Sequence, residues 1–314
     1  MNVKRRAWVA MLAAAALVGC GSRSSGGRGT REEPLPSRDW TRIEDLAEVP
    51  ALHSQGIASV PDLGPDEIVF SSRLTIDRAR AGVVEVLQLA FTQEILDAGF
   101  DHLGDPDAHG TRVFGPLEDL SDPTIEPFRR AFAVYDADTL EVLGWSLNPG
   151  APDRGGDGDA AWVAVSPDGR WLVTSEWSPQ EDLIVFDALA IGRDATVEPA
   201  ARIPLDRPLA RIQGCDFDGP RVLLCASDDA DTGKLVHAIV LDRALAGAAV
   251  PTGLRGTVED LFAVPLPAPQ CPFEAEVEGV DVDGDRFSVL VIGTCLVDGH
   301  RYVFGRDADS VVSR

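Results

Sequence analysis

The chain has 314 residues, 45% hydrophobic and 25% charged, which excludes disorder over most of its length. Fifty-one acids against 28 bases give −23, and that balance argues against nucleic acid as a direct partner. Lys4, Arg5 and Arg6 give residues 1–19 a charge of +3, and four arginines against two glutamates give 20–38 +2. The remaining −28 falls on residues 39–314.

The basic start leads into an apolar run, Ala7 to Val18. That run is shorter than the ~20 residues a membrane-spanning helix needs, but suits a secretory signal. It ends in Leu17-Val18-Gly19-Cys20, which resembles the lipobox of bacterial lipoproteins: Leu at −3, a small residue at −1 and Cys at +1. The resemblance implies that 1–19 is a signal peptide and that Cys20 is the lipidated, palmitate-bearing mature N-terminus. It also implies a membrane partner through that anchor. The implied location is the cell envelope, at the outer membrane or cell surface, because Gly21 and Ser22 rather than Asp follow the cysteine. Residues 20–38, rich in Gly, Ser and Arg, read as a flexible tether, and 39–314 as one domain.

Within that domain the strand signals come in repeats. Residues 55–70, QGIASVPDLGPDEIVF, read as strand–turn–strand, with Gly82 to Leu89 as a third strand. The span 100–130, with Pro106, Pro116, Pro123 and Pro127, fits the pattern poorly. Ala131 to Tyr135 then turns at Asp136 into Glu141-Val142-Leu143. In 160–186, Trp162 to Val165 meets the turn Ser166-Pro167-Asp168-Gly169, then Trp171 to Thr174 and Leu183 to Phe186. QGCDFDGPRVLLC at 213–225 and EGVDVDGDRFSVLVI at 278–292 repeat the organisation, followed by Leu235 to Leu241 and Tyr302 to Phe304.

The Ser-Pro-Asp-Gly hairpin resembles those of bacterial β-propellers, such as translocation-protein and surface-layer or lactonase-type repeats. The resemblance implies an all-β propeller. The 158 residues from Gln55 to Gln213 make three units of about 53, so five blades are expected, although six would suit the length better and an open β-sandwich with similar hairpins is the other reading. Trp40 to Leu46 would supply the missing outer strand of the last blade and close the ring. On this arrangement the cysteines pair as Cys215–Cys225 and Cys271–Cys295; the other reading is free thiols packed as small hydrophobes.

A propeller gathers the first strand of every blade around the axis. Gln55, Gln213 and Glu278, which open three of them, are therefore a candidate ligand-facing ring, with His53, Asp159, Asp216, Glu276 and Asp281 as neighbours. Carboxylate and amide oxygens around a ring suit Ca²⁺, which would polarise an ester, lactone or phosphate oxygen. The plainer reading is polar capping of strand ends in a closed channel. Asp281 to Asp285 opens like a calcium-hand loop, but Arg286 and Ile292 stand where Gly and Glu are needed, so it reads as a hairpin turn. Ser227 to Asp231 and Asp153 to Asp159 read as solvated loops. His102 and His109 flank Asp105 and Asp107 and form a weaker metal or acid–base candidate. No Gly-x-Ser-x-Gly elbow, phosphate-binding Gly-rich loop or dinucleotide fingerprint is present, and no catalytic residue is identified.

Two functions remain. One is a binding or scaffolding lipoprotein that presents the propeller to an envelope protein or a small extracellular ligand. The other is a Ca²⁺-dependent hydrolase of lactonase, phosphoesterase or nucleotidase type, because Glu278-Gly279 loosely resembles the Glu-Gly strand of gluconolactonase-type propellers. Whether the protein is an enzyme stays open, since fold does not decide function.

Overall fold

Short apolar runs broken by Gly, Pro and Asp turns favour antiparallel strands, and strands dominate the computed structural model. It describes residues 39–49, 51–119, 130–148, 161–176, 179–229, 233–268, 271–272, 274–293, 295 and 298–306. Cys20 and residues 149–160, Asp159 among them, lie outside these residues. Among those described, no helix is long and apolar enough to cross a membrane.

After β1 (Thr41–Glu48), the strands form successive up-and-down meanders. The first is β2 (Gly56–Ser59), β3 (Glu67–Ser71), β4 (Thr75–Arg80) and β5 (Val83–Leu89). A short helix, α1 (Gln93–Asp97), leads to the second. There β6 (His102–Leu103) and β7 (Asp107–His109) share the inner position beside β8 (Arg112–Glu118), β9 (Arg130–Asp136) and β10 (Val142–Asn148). The third is β11 (Ala164–Val165), β12 (Trp171–Ser175), β13 (Gln180–Asp187) and β14 (Ala201–Leu209). The fourth is β15 (Ile212–Phe217), β16 (Val222–Ser227), β17 (Leu235–Leu241) and β18 (Gly256–Ala263). A single parallel bridge, Leu205 with Gly256, joins these two meanders into one eight-stranded sheet. The last contains β19 (Glu276–Asp283), β20 (Arg286–Ile292) and β21 (Gly299–Gly305), and β1 is its outer strand. β1 runs antiparallel to β21 from Thr41 opposite Gly305 to Glu48 opposite Gly299. The fold is an all-β propeller in which the N-terminal strand completes the sheet of the C-terminal strands.

Apolar side chains fill the seams between successive meanders. Phe114, Phe132 and Val134 meet Leu172, Ile184 and Phe186 between the second and third, with Phe132 and Phe186 edge to face at 5.0 Å. Leu183 and Val185 point the other way, towards Cys215, Leu223 and Ile239 of the fourth. Val222 and Leu224 meet Val277, Phe287 and Val289 between the fourth and fifth. The seam between the fifth and first differs, because its apolar cluster is only Ile57, Phe70, Ala79 and Leu290, with Ile68 partly buried against them. Polar groups supply the rest. His53 stacks on Phe70 at 3.8 Å; its Nδ1 donates to Glu48 Oε2 (2.6 Å) and its Nε2 to Asp77 Oδ2 (3.2 Å). Burial alone would lower the pKa of His53, but these two carboxylates raise it to about 9.

Both disulfides expected from the sequence are present, Cys215–Cys225 and Cys271–Cys295. The first lies between directly opposed residues of β15 and β16. Two elements differ from expectation. Gly82 to Leu89, expected as the third strand of its meander, contains the fourth, because Thr75–Arg80 is a strand in spite of its Asp and two Arg. Its Asp77 and Arg78 are buried with partners, His53 for one and Asp138 for the other, so the usual polar-out reading fails there. The irregular span 100–130 holds β6, β7 and β8, with Pro106 between the two short inner pieces.

Replacing Cys271 and Cys295 together by Ala should lower stability by about 3 kcal/mol, the loop-closure value for a bridge spanning 24 residues. The urea midpoint under oxidising conditions measures this; an unchanged midpoint would contradict it.

Candidate functional site

The innermost strand of each meander has one edge paired within its sheet and the other turned to the axis. N–H groups on that buried edge need acceptors that no neighbouring strand supplies. Aspartates provide them. Asp107 Oδ2 accepts from Val165 N–H (2.5 Å), Asp216 Oδ2 from Val282 N–H (2.7 Å) and Asp281 Oδ1 from Ser59 N–H (2.6 Å). Each bond runs from one inner strand to another. The remaining oxygens accept from Ala108 N–H (2.6 Å), Phe217 N–H (2.5 Å) and Ser59 Oγ–H (2.7 Å). Six oxygens thus serve one N–H in each of the five inner strands, plus one hydroxyl. Ala108 and Phe217 rely on their own neighbours Asp107 and Asp216. The strands that would otherwise reach them carry alanine, Ala58 and Ala164, at the equivalent position.

One layer nearer the strand starts, Asp105 fills the axis itself. It is fully buried; its Oδ1 accepts from Ile57 N–H (2.9 Å) and its Oδ2 from Val280 N–H (3.2 Å). Its backbone bonds the third meander, Asp105 N–H to Ala161 O (2.8 Å) and Val163 N–H to Asp105 O (3.1 Å). Gly214 of the fourth leaves no room either, since a Cβ there would overlap Oδ2. A Cβ on Gly56 or Gly279 would likewise collide with Asp105. This explains the Gln/Glu-Gly openings: Gly56, Gly214 and Gly279 converge on one carboxyl because only glycine lets the strands close around it.

The residues before those glycines lie at the mouth where the inner strands begin. Gln55 Oε1 is 2.7 Å from His102 Nε2, and His102 Nδ1 is 2.9 Å from Glu118 Oε2. Glu118 Oε1 is buried without a hydrogen-bond partner. Gln213 is half-buried. Glu278 is buried beside the exposed Glu276; burial, then the charges of Glu276 and Asp228, hold its carboxyl well above the usual range. Asp228 pairs with Lys234 and accepts from Val277 N–H (2.8 Å). The sequence pointed to Gln55, Gln213, Glu276 and Glu278 here. It gave no site role to Glu118 or Lys234 and placed Asp228 in a solvated loop from Ser227. Ser227 is instead a buried residue ending β16, and Asp228 is held by Lys234 and Val277. These strand-end positions follow only from the pairing of β6, β8, β16 and β17.

The other expected neighbours lie elsewhere. His53 is in the closing seam, and Asp216 and Asp281 face the opposite mouth, lining a cavity of about 150 Å³ with Asp107 and His109. His102 and His109 therefore stand at opposite ends of their inner position and form no common site. His109 packs over Gly169 of the Ser-Pro-Asp-Gly turn, where φ is +68° and a Cβ would strike the imidazole. Among the described residues, no group of three or more His, Cys, Asp or Glu is placed to hold a metal ion. The hairpin reading of Asp283-Gly284-Asp285 agrees with the pairing of β19 and β20 and with φ of +59° at Gly284.

No family model matches the chain, and no curated protein matches it. Solved structures of similar shape include a luciferin-regenerating enzyme, at 16% identity and TM-score 0.46, covering 85% of this chain and 80% of that one. A glucose dehydrogenase is 10% identical with TM-score 0.43, covering 86% of this chain and all of its own. A protein of unknown function from Bacteroides thetaiotaomicron is 13% identical with TM-score 0.45, covering 86% and 73%. The identities are too low for any ligand or activity to carry over.

Two outcomes follow from the buried carboxylates. Asp105→Ala orphans two buried N–H groups and should cost roughly 4 kcal/mol, with Asp105→Asn intermediate; urea denaturation measures both. Burial raises Asp107 to about 7 and Asp281 to about 6, and burial with the charges of Asp107 and Asp281 raises Asp216 well above its usual value. The folded state then binds more protons than the unfolded one, so stability falls as pH rises from about 4 through these values. His53, raised to about 9, acts in the same direction from its unfolded value of 6.5 upward. The urea midpoint should therefore be higher at pH 5 than at pH 9. The reverse order would refute the charge assignment.

Proposed function

We propose that the protein is a lipid-anchored, five-bladed propeller of the cell envelope that binds a polar ligand or an envelope protein at the mouth where its inner strands begin. The observation that carries this reading is how the axial carboxylates are used. Asp105, Asp107, Asp216 and Asp281 are occupied by backbone N–H groups, which makes them scaffold. Gln55, His102, Gln213, Glu276, Glu278 and Lys234 remain around the mouth. They offer donors and acceptors of both charges without a metal-ligating set among the described residues. That combination suits reversible recognition. The Ca²⁺-dependent hydrolase has less support, because polarising a substrate oxygen needs a cation held by several free oxygens. Support for the anchor is the Leu17-Val18-Gly19-Cys20 motif and the Gly/Ser tether behind it.

Melting curves with Ca²⁺, Mg²⁺ or Zn²⁺ separate the two functions. A resident site of about 10 μM affinity would add about 2.7 kcal/mol at 1 mM metal and raise Tm by several degrees. The binding reading expects no such rise. A rise abolished by Glu278→Gln would install the hydrolase in its place. Metabolic labelling with palmitate tests the anchor: wild type should incorporate it and Cys20→Ser should not.

A further inference from the structure

At the mouth, two opposite charges stand side by side without meeting. Glu118 ends β8 and Arg130 begins β9, and the antiparallel register sets them directly opposite one another. Such neighbours have Cβ atoms about 5 Å apart and share a face of the sheet. That face belongs to the seam with the third meander. Phe114 and Phe132, an even number of residues away on the same two strands, pack there against Leu172, Ile184 and Phe186.

Both side chains are 4% exposed, and each is only partly used. Glu118 Oε2 is bonded by His102 Nδ1 (2.9 Å), while Oε1 has no hydrogen-bond partner. Arg130 Nη2 pairs with Glu176 of the third meander, while Nε and Nη1 have none. Glu176 is itself divided, since Arg202 lies 3.7 Å from its other oxygen. His102 thus holds one head and Glu176 the other, and the pair does not close on itself. A buried charge left partly unbonded costs folding free energy, so a guest that completes both charges is favoured. His102 Nε2 lies 2.7 Å from Gln55 Oε1, which places the pair within the mouth.

We propose that the mouth binds a small zwitterion, an α-amino acid being the simplest, whose carboxylate bonds Arg130 and whose ammonium bonds Glu118 Oε1. This rests on the reading of the mouth as a ligand site and names the chemistry of the ligand. Charge selects it. A cation alone would leave the Arg130 nitrogens open, and an anion alone would leave Glu118 open. A zwitterion supplies a charged partner to both, and charge-assisted hydrogen bonds are the strong ones. It also adds no net charge to a domain at −28. Glu176 and Arg202 are more exposed than Arg130, at 16% and 26%, so they are the side chains that yield as the ligand enters.

The full chain in detergent is melted with each protein amino acid, and with glucose, acetate or ethylammonium. An amino acid of about 1 mM affinity, present at about 10 mM, should raise Tm by about 2–3 °C. Its N-acetyl derivative and its carboxamide each lack one charge and should bind at least about tenfold more weakly. Glu118→Gln should weaken the amino acid by a similar factor and leave the N-acetyl derivative unaffected, a pattern that general loss of structure does not give. Equal binding of either derivative would overturn the proposal, and so would undiminished binding by Glu118→Gln. A response confined to glucose, acetate or ethylammonium would overturn the zwitterion while keeping a ligand at the mouth. Silence from every probe would overturn it too, and would leave the mouth to an envelope protein.

Discussion

A ring of sheets buries the one edge of each sheet that no further strand can reach, and this protein answers that constraint with carboxylates. An Asp carboxyl places two acceptor oxygens on one side chain, so it can span two strands where the amide NH2 of Asn would oppose one of the two N–H groups. Burial meanwhile holds these carboxyls above the usual range. The cost is charge burial. Three aspartates at the turn end, with alanine in the two intervening strands, keep like charges fewer than the N–H groups they serve. Five carboxylates on the same circle would repel one another more strongly than the extra bonds could offset. Asp105 is the extreme case. Burial holds its carboxyl well above the usual range against the hydrogen bonds from Ile57 and Val280, and it touches every meander through its side chain, its backbone or the glycine beside it.

The closing seam follows a different rule from the others. Where the chain runs directly from one meander to the next, large apolar clusters form. At the junction of its first and last sheets only a small cluster does, flanked by Glu48, His53, Asp77 and Arg301. Glu48 belongs to the strand that completes the last sheet and Asp77 to the first meander, so His53 joins the two ends of the domain. Charged pairs need particular partners at particular distances, whereas apolar surfaces tolerate sliding. A polar seam therefore favours the register in which Glu48 meets His53 over one shifted along β21. The same polarity leaves the seam open as a groove.

Much of the architecture was legible because hairpins have local signatures. Ser166-Pro167-Asp168-Gly169, the Gln/Glu-Gly openings and the cysteine spacing depend on turn chemistry and short range, and each led to the observed pairing. Thr75–Arg80 was not legible, since its buried Asp77 and Arg78 look solvent-facing until their partners arrive from residues 53 and 138. Asp105 and Asp107 were equally obscured by Pro106 and by an inner strand broken in two. Gly214-Cys215-Asp216 and Gly279-Val280-Asp281 did hold a usable signal, the acid two residues after the glycine. The sequence suggested ligand binding for that acid, and only the backbone geometry shows it serving N–H groups. His53 lies two residues from Gln55 in sequence, yet it faces the seam because the chain turns inward between them.

The ring thus has two unlike ends. At the turn end, Asp107, Asp216 and Asp281 face a small cavity with every carboxylate oxygen already bonded, so a ligand there would have to displace backbone partners. At the other mouth, Gln55, His102 and Glu118 form a chain of side chains, and Lys234 stands beside Asp228 and the buried Glu278 neighbourhood. Side-chain partners exchange at far less cost than backbone partners, because rotating a side chain leaves no strand edge exposed. The exchangeable side-chain partners therefore lie at the mouth where the inner strands begin, and the opposite end holds the ring together.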